Sequence, residues 1–217
     1  MRSLFLIPVF LITCCSALAQ TQGQFRMLNN QAFPPGTSAS APKYDYVKGN
    51  AYAFEGWKKA DLTLQDGKVF KDLNIKLNLV DDNVVFEGPD QKEMILNMPL
   101  STVTFIDGTT YQAMRFNNVI GLVEVLEKGS ITLFKSNKKT VMESKGYNEV
   151  TEKRFNLITK YYLSKGQEIQ EIKLDKKSIS NALATLGLAS PAADEGKANL
   201  KKEGDLVAYI KSLNQVK

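Results

Sequence analysis

Residues 60–80 read ADLTLQDGKVFKDLNIKLNLV. Leu73, Ile75, Leu77 and Leu79 alternate with Asn74, Lys76 and Asn78, so a strand here turns one apolar face to a core and one polar face to water. Upstream, Asp66-Gly67 interrupts two shorter apolar runs. Glycine accepts positive φ without a Cβ clash and Asp tolerates it, so the pair reads as a tight hairpin corner of type I′. The theme returns at an offset of 41 residues: TLQDGKVF at 63–70 becomes TFIDGTTY at 104–111. Leu62, Thr63, Leu64, Asp66, Gly67 and Phe70 match Val103, Thr104, Phe105, Asp107, Gly108 and Tyr111. The matched positions are corner residues and core-facing apolar residues. That pattern favours two equivalent hairpins over a catalytic pair of aspartates.

The same texture extends in both directions. VVFEG, KEMILN, STVTFI, TYQAMRF, VIGLVEVLE, SITLFKS, FNLITKYYLS and QEIQEIKL are short apolar runs separated by turn residues such as Gly88-Pro89-Asp90, Lys128-Gly129 and Lys165-Gly166. The expected fold is mainly β: an antiparallel meander over 44–175, forming a sandwich or an open barrel. Then the period changes. Ile179, Ala182, Leu183 and Leu186 lie on one helical face between Asp175, a natural N-cap, and Gly187, a natural stop. Leu206, Tyr209, Ile210 and Leu213 repeat that spacing behind Glu203 and Asp205, and Ser190-Pro191 marks a possible start between the two. Residues 176–217 therefore read as a small helical cap, making the class α+β.

The chain opens MRSLFLIPVFLITCCSALAQ: a basic start, an apolar run too short for a permanent span, and Ala17-Leu18-Ala19 before a cut. Residues 1–19 read as a secretory signal peptide, and the Pro/Ser-rich residues 20–43 as a flexible tether. Lipidation at Cys14 or Cys15 fits less well, because Thr13 stands where a small residue is preferred. The expected location is the periplasm, the outer-membrane surface or the extracellular medium. Both cysteines lie in the leader and the chain has no histidine. Those absences exclude disulfides, Cys nucleophiles, Ser-His-Asp triads and the usual Cys/His zinc sites from the mature protein. No cofactor or metal is expected. The net charge of +5 gathers in the lysines between 128 and 165. With no nucleic-acid motif beside them, they read as a solvated sheet surface.

Three motif matches fail on context. Asp81-Asp82-Asn83 lacks the spacing and terminal Glu of a calcium loop and reads as a polar turn. Ser136-Asn137-Lys138-Lys139 fits Ser-x-x-Lys, but it ends a strand rather than opening a helix. Gly196-Lys197 has neither the earlier glycine nor the following hydroxyl of a phosphate loop. The richest leftover is YDYVKGNAYAFEGW, where Tyr44, Tyr52, Phe54 and Trp57 form a candidate aromatic platform for a sugar or apolar ligand. Alternation at Tyr44/Tyr46 and Tyr52/Phe54 favours core filling over a ligand site.

The stretch GNAYAFEGWKKADLTLQDGKVFKDLNIKLNLVDDNVVFEG, with the later YYLSKGQEIQEIKLDKKSISNAL and EGDLVAYIKSLN, resembles a domain of unknown function in exported β-rich proteins of Gram-negative bacteria. The resemblance implies an envelope or extracellular setting and brings no catalytic residues with it. The functional expectation is a non-catalytic protein that binds an envelope protein, a glycan or an apolar ligand. The alternative is a glycan hydrolase working with carboxylates alone, drawn from Asp66, Asp81, Asp82, Glu87 and Asp107.

Overall fold

The computed structural model describes residues 44–88, 91–96, 99–116, 119–144, 151–188 and 200–215. The expected leader and tether and the helix start expected at Ser190 lie outside them. Eleven strands precede two helices: β1 (Val47–Lys48), β2 (Lys58–Leu64), β3 (Val69–Asn78), β4 (Asn83–Glu87), β5 (Glu93–Ile95), β6 (Leu100–Phe105), β7 (Thr110–Phe116), β8 (Val119–Glu127), β9 (Thr132–Ser144), β10 (Glu152–Lys165), β11 (Glu168–Ile172), α1 (Lys176–Thr185) and α2 (Glu203–Gln215). All the strands belong to one open sheet in the order β5-β4-β3-β2-β6-β7-β8-β9-β10, with β1 and β11 both pairing with β10. Only β1 runs parallel to its neighbour. The expected class holds: a mainly β meander with C-terminal helices.

Both Asp-Gly corners are present, but the turn type differs from expectation. Leu64 N donates to Lys68 O at 2.9 Å and Gly67 N to Leu64 O at 3.0 Å; Phe105, Thr109 and Gly108 repeat this at 2.9 and 3.0 Å. Gly67 and Gly108 have φ of 85° and 87°, whereas neither aspartate has positive φ. These are three-residue corners, type I turns ending in a glycine bulge, rather than two-residue type I′ turns. The physical reason is that each aspartate works as an acceptor. Asp66 Oδ1 takes Lys68 N at 3.0 Å, and Asp107 Oδ1 takes Thr109 N at 2.9 Å.

The two hairpins meet through β2 and β6, which pair antiparallel with Leu62 opposite Val103. Those two residues are equivalent positions of the repeat. A local two-fold axis therefore passes between them: Leu62 opposes Phe70 in the first hairpin as Val103 opposes Tyr111 in the second. The axis sends the two corners to opposite ends of the sheet, roughly 20 Å apart at about 3.4 Å per residue.

One row of directly opposed residues crosses the sheet: Phe70, Leu62, Val103, Tyr111, Glu124, Lys135, Tyr161 and Ile172. These side chains share the face around which the sheet curls. At one end Leu62, Leu73, Ile75, Leu77 and Phe86 build the first core. At the other, Leu133 and Leu163 pack with Ile179, Leu183, Leu206 and Ile210 of the two helices. Alternation sends Met114, Val123 and Phe134 to the opposite face, where they form a small third cluster. As expected, Asp175 caps α1 by accepting from Ser178 N at 2.8 Å, and Gly187, at φ 65°, ends it with Leu188 N donating to Leu183 O.

The strand β9 is longer than its apolar run suggested. Ser136–Lys139 lies inside it rather than at its end, because this stretch runs past the core and carries polar residues on both faces. The ladder to β8 covers only Leu133–Lys135. Further on, Lys139 N donates to Leu79 O at 2.8 Å, joining β9 to the turn after β3. Lys138 reaches Asp82 there at 3.0 Å. The Lys139 ammonium, its pKa lowered by burial, caps the carbonyls of Asn50 and Tyr52 at 2.7 and 2.6 Å. The sheet thus curls until its two flanks touch, without a ladder closing it.

Candidate functional site

The candidate aromatic residues take up different settings. Phe54 turns inward and meets Phe105 edge-on at 5.3 Å, joining the first core. Tyr44 stands edge-on to Phe155 at 5.6 Å and donates its hydroxyl to Asp81 at 3.0 Å. Tyr52 and Trp57 do come together, around the Lys76 ammonium, which lies 5.2 and 4.2 Å from their ring centroids. Glu93 completes this group, 2.6 Å from Lys76 and 3.2 Å from the Tyr52 hydroxyl. Burial, with Glu93 beside it, pushes that hydroxyl up to about 12. One face of each ring is thus taken by a cation that has its own carboxylate.

The carboxylates proposed for hydrolysis are dispersed. Asp66 and Asp107 are exposed corners at opposite ends of the sheet. Hydrogen bonds from the Lys68 and Thr109 amides hold both below the usual carboxylate range. Asp81 and Asp82 share the β3–β4 turn, where Asn78 and Lys138 engage them, and Glu87 accepts from Asn74 at 2.5 Å. Among the described residues no three metal-ligating side chains converge.

No local pattern marked the polar centre of the cross-sheet row. Glu203, the first residue of α2, accepts from the Tyr161 hydroxyl at 2.7 Å and lies 3.0 Å from Lys135, which is itself 3.8 Å from Glu124. Burial pushes Glu124 up. Burial also acts on Glu203, but the Tyr161 and Lys135 hydrogen bonds outweigh it and hold this carboxyl low. Tyr111 is pushed up to about 12, chiefly by burial. Two carboxylates tuned apart resemble an acid–base pair. Here, however, one lysine contacts both, and the contacts tether α2 to β9 and β10. Only the helix-favouring charge of Glu203 was visible locally; its partners are strands far away in the chain.

A separate feature has the shape of a binding site. Where β9 parts from β8, a half-open cleft of about 380 Å³ lies between the start of β4, the β5–β6 connection and β7–β8. Val84, Leu96, Leu100 and Leu122 form its apolar wall, and all four also belong to or pack on the first core. Gln65, Asn83 and Arg115 supply polar groups. Asn83 Oδ1 is buried with no hydrogen-bond partner among the described residues. Asp82 also borders the cleft, already neutralised by Lys138. Of its residues only Asp82 and Asn83 stood out in the sequence, as a polar turn, because the cleft is assembled from elements far apart in the chain.

No helix among the described residues is long and apolar enough to cross a membrane. Comparison with protein-family models, with curated proteins and with solved structures finds no match.

Proposed function

We propose that this is an exported, non-catalytic binding protein whose cleft beside the β8–β9 split takes an apolar or amphipathic ligand. The observation that carries this reading is the cleft itself: an apolar wall continuous with the core, a few polar groups, and a volume of about 380 Å³. Small-molecule sites typically span about 300–1,000 Å³, and this cleft lies at the lower end of that range. The mouth of a curled sheet is also a recurrent place for such sites, since the strands hold the wall rigid while the ends stay open. Export rests on the leader, and places the ligand in the periplasm, at the outer-membrane surface or outside the cell.

Two measurements test the proposal. Native mass spectrometry of the mature protein after exposure to an envelope lipid extract is expected to reveal a bound small molecule. Thermal unfolding against a panel of single-chain amphiphiles, neutral and charged, is expected to show a raised Tm for at least one class. No adduct and no shift across the panel would overturn the proposal.

A further inference from the structure

We infer that the cleft prefers an anionic single-chain amphiphile, with its acid head on Arg115 and its apolar tail over Leu96, Leu100 and Leu122. This rests on the binding role proposed above and adds the chemical class of the ligand.

The inference comes from the charge balance around the cleft. Two charged side chains border it, Asp82 and Arg115. The carboxylate of Asp82 has its cation, Lys138, at 3.0 Å. Away from the cleft, lysines of β9 and β10 also have carboxylate partners: Lys153 has Glu143, Lys160 has Glu171 and Lys135 has Glu203. Arg115 has no carboxylate within ion-pair distance among the described residues. It is exposed on β7, two residues from Ala113, which pairs with the wall residue Leu122. A guanidinium at the rim of an apolar wall suits a planar acid group, which it grips with two parallel N–H donors. A neutral head gains no such pair, and a cationic head is repelled. The wall provides the rest of the affinity by removing the tail from water.

The probes are decanoate, its methyl ester and decyltrimethylammonium, each titrated into the mature protein below its micelle-forming concentration. Decanoate is expected to bind about two- to fivefold more tightly than the ester, the increment of one exposed ion pair. The cation is expected to bind most weakly. Raising ionic strength should erode the acid's advantage and leave the ester unchanged. Arg115→Gln should abolish the preference and Arg115→Lys should retain part of it. Arg115 is exposed, so neither change threatens the core. Ala113→Phe fills the cleft and should block every probe, while Gln65→Trp narrows the mouth from a corner and gives the same readout should Ala113→Phe fail to fold. Equal binding of acid and ester, both blocked by these variants, would leave a binding cleft and overturn the anionic preference. A preference that persists in Arg115→Gln would also overturn it. Failure of all three probes to bind would defeat the binding role and this inference together.

Discussion

Gly67 and Gly108 sit in the left-handed region with open space where a Cβ would stand. Alanine at either position therefore introduces backbone strain without a clash, costing about 1–2 kcal/mol. Since the two corners share one geometry, Gly67→Ala and Gly108→Ala should lower the urea midpoint by similar amounts; a large disparity would contradict their equivalence. Asn214 is the opposite kind of residue. Its amide pairs with Ile131 N and Ile131 O, both at 2.9 Å, as a strand would, and ties the end of α2 to the β8–β9 corner. Gly129 is required there because a Cβ would stand 2.3 Å from the Asn214 side chain. Asn214→Ala leaves those backbone groups without a protein partner and should cost about 1–3 kcal/mol by chemical denaturation. The Asp-Gly corners were legible because their chemistry is local. The latch was not: Asn214 bonds 83 residues away, and Gly129 looked like an ordinary turn glycine.

The seam between α2 and the sheet responds to pH. Glu203 has a lowered pKa in the fold, so its contribution is present above the ordinary glutamate range and lost as pH falls through the folded value. Its side chain is 36% exposed, so screening limits the effect to about 1 kcal/mol. Glu203→Gln should be destabilising at pH 7 and should converge on wild type only as pH falls below the folded value, itself below the ordinary glutamate range. Tyr161→Phe should behave alike, because its bond strength depends on the charge it serves. Glu124 is raised by burial and acts in the opposite sense: its contribution is present below the unfolded value and lost as pH rises through the folded one. Glu124→Gln should therefore steepen the gain in stability between about pH 4 and 7. Denaturant midpoints across that range check all three variants. The helix itself was readable from Leu206, Tyr209, Ile210 and Leu213. The row of Tyr111, Glu124, Lys135 and Tyr161 was not, because each residue sits alone on its own strand until the register aligns them.

At the scale of the whole molecule, most strands were legible while their neighbours were not. Period-two alternation marks a face, but says nothing about which edges meet. It could not place β6 beside β2, or bring the middle of β9 to the turn after β3. The cleft depends on both. The contact between flanks has a measurable role: Lys139 holds the carbonyls of Asn50 and Tyr52, and the segment around them donates from Ala53 N to Leu77 O and accepts at Ala51 O from Leu79 N. Lys139→Met should accelerate hydrogen exchange at the Ala53 and Leu79 amides while leaving β2 and β6 protected. Uniform acceleration through the sheet would mean that the contact supports the entire fold instead of one flank.

The two-fold axis between Leu62 and Val103 makes the β2–β6 contact isologous, the kind that joins identical subunits into a closed dimer. Each edge meets the equivalent edge of its own duplicate, so the chain behaves as a tethered pair of like hairpins. Such an edge is satisfied equally well by the matching hairpin of a second molecule. Refolding at high concentration should therefore yield a discrete swapped dimer, separable by size exclusion and relaxing slowly to monomer on dilution.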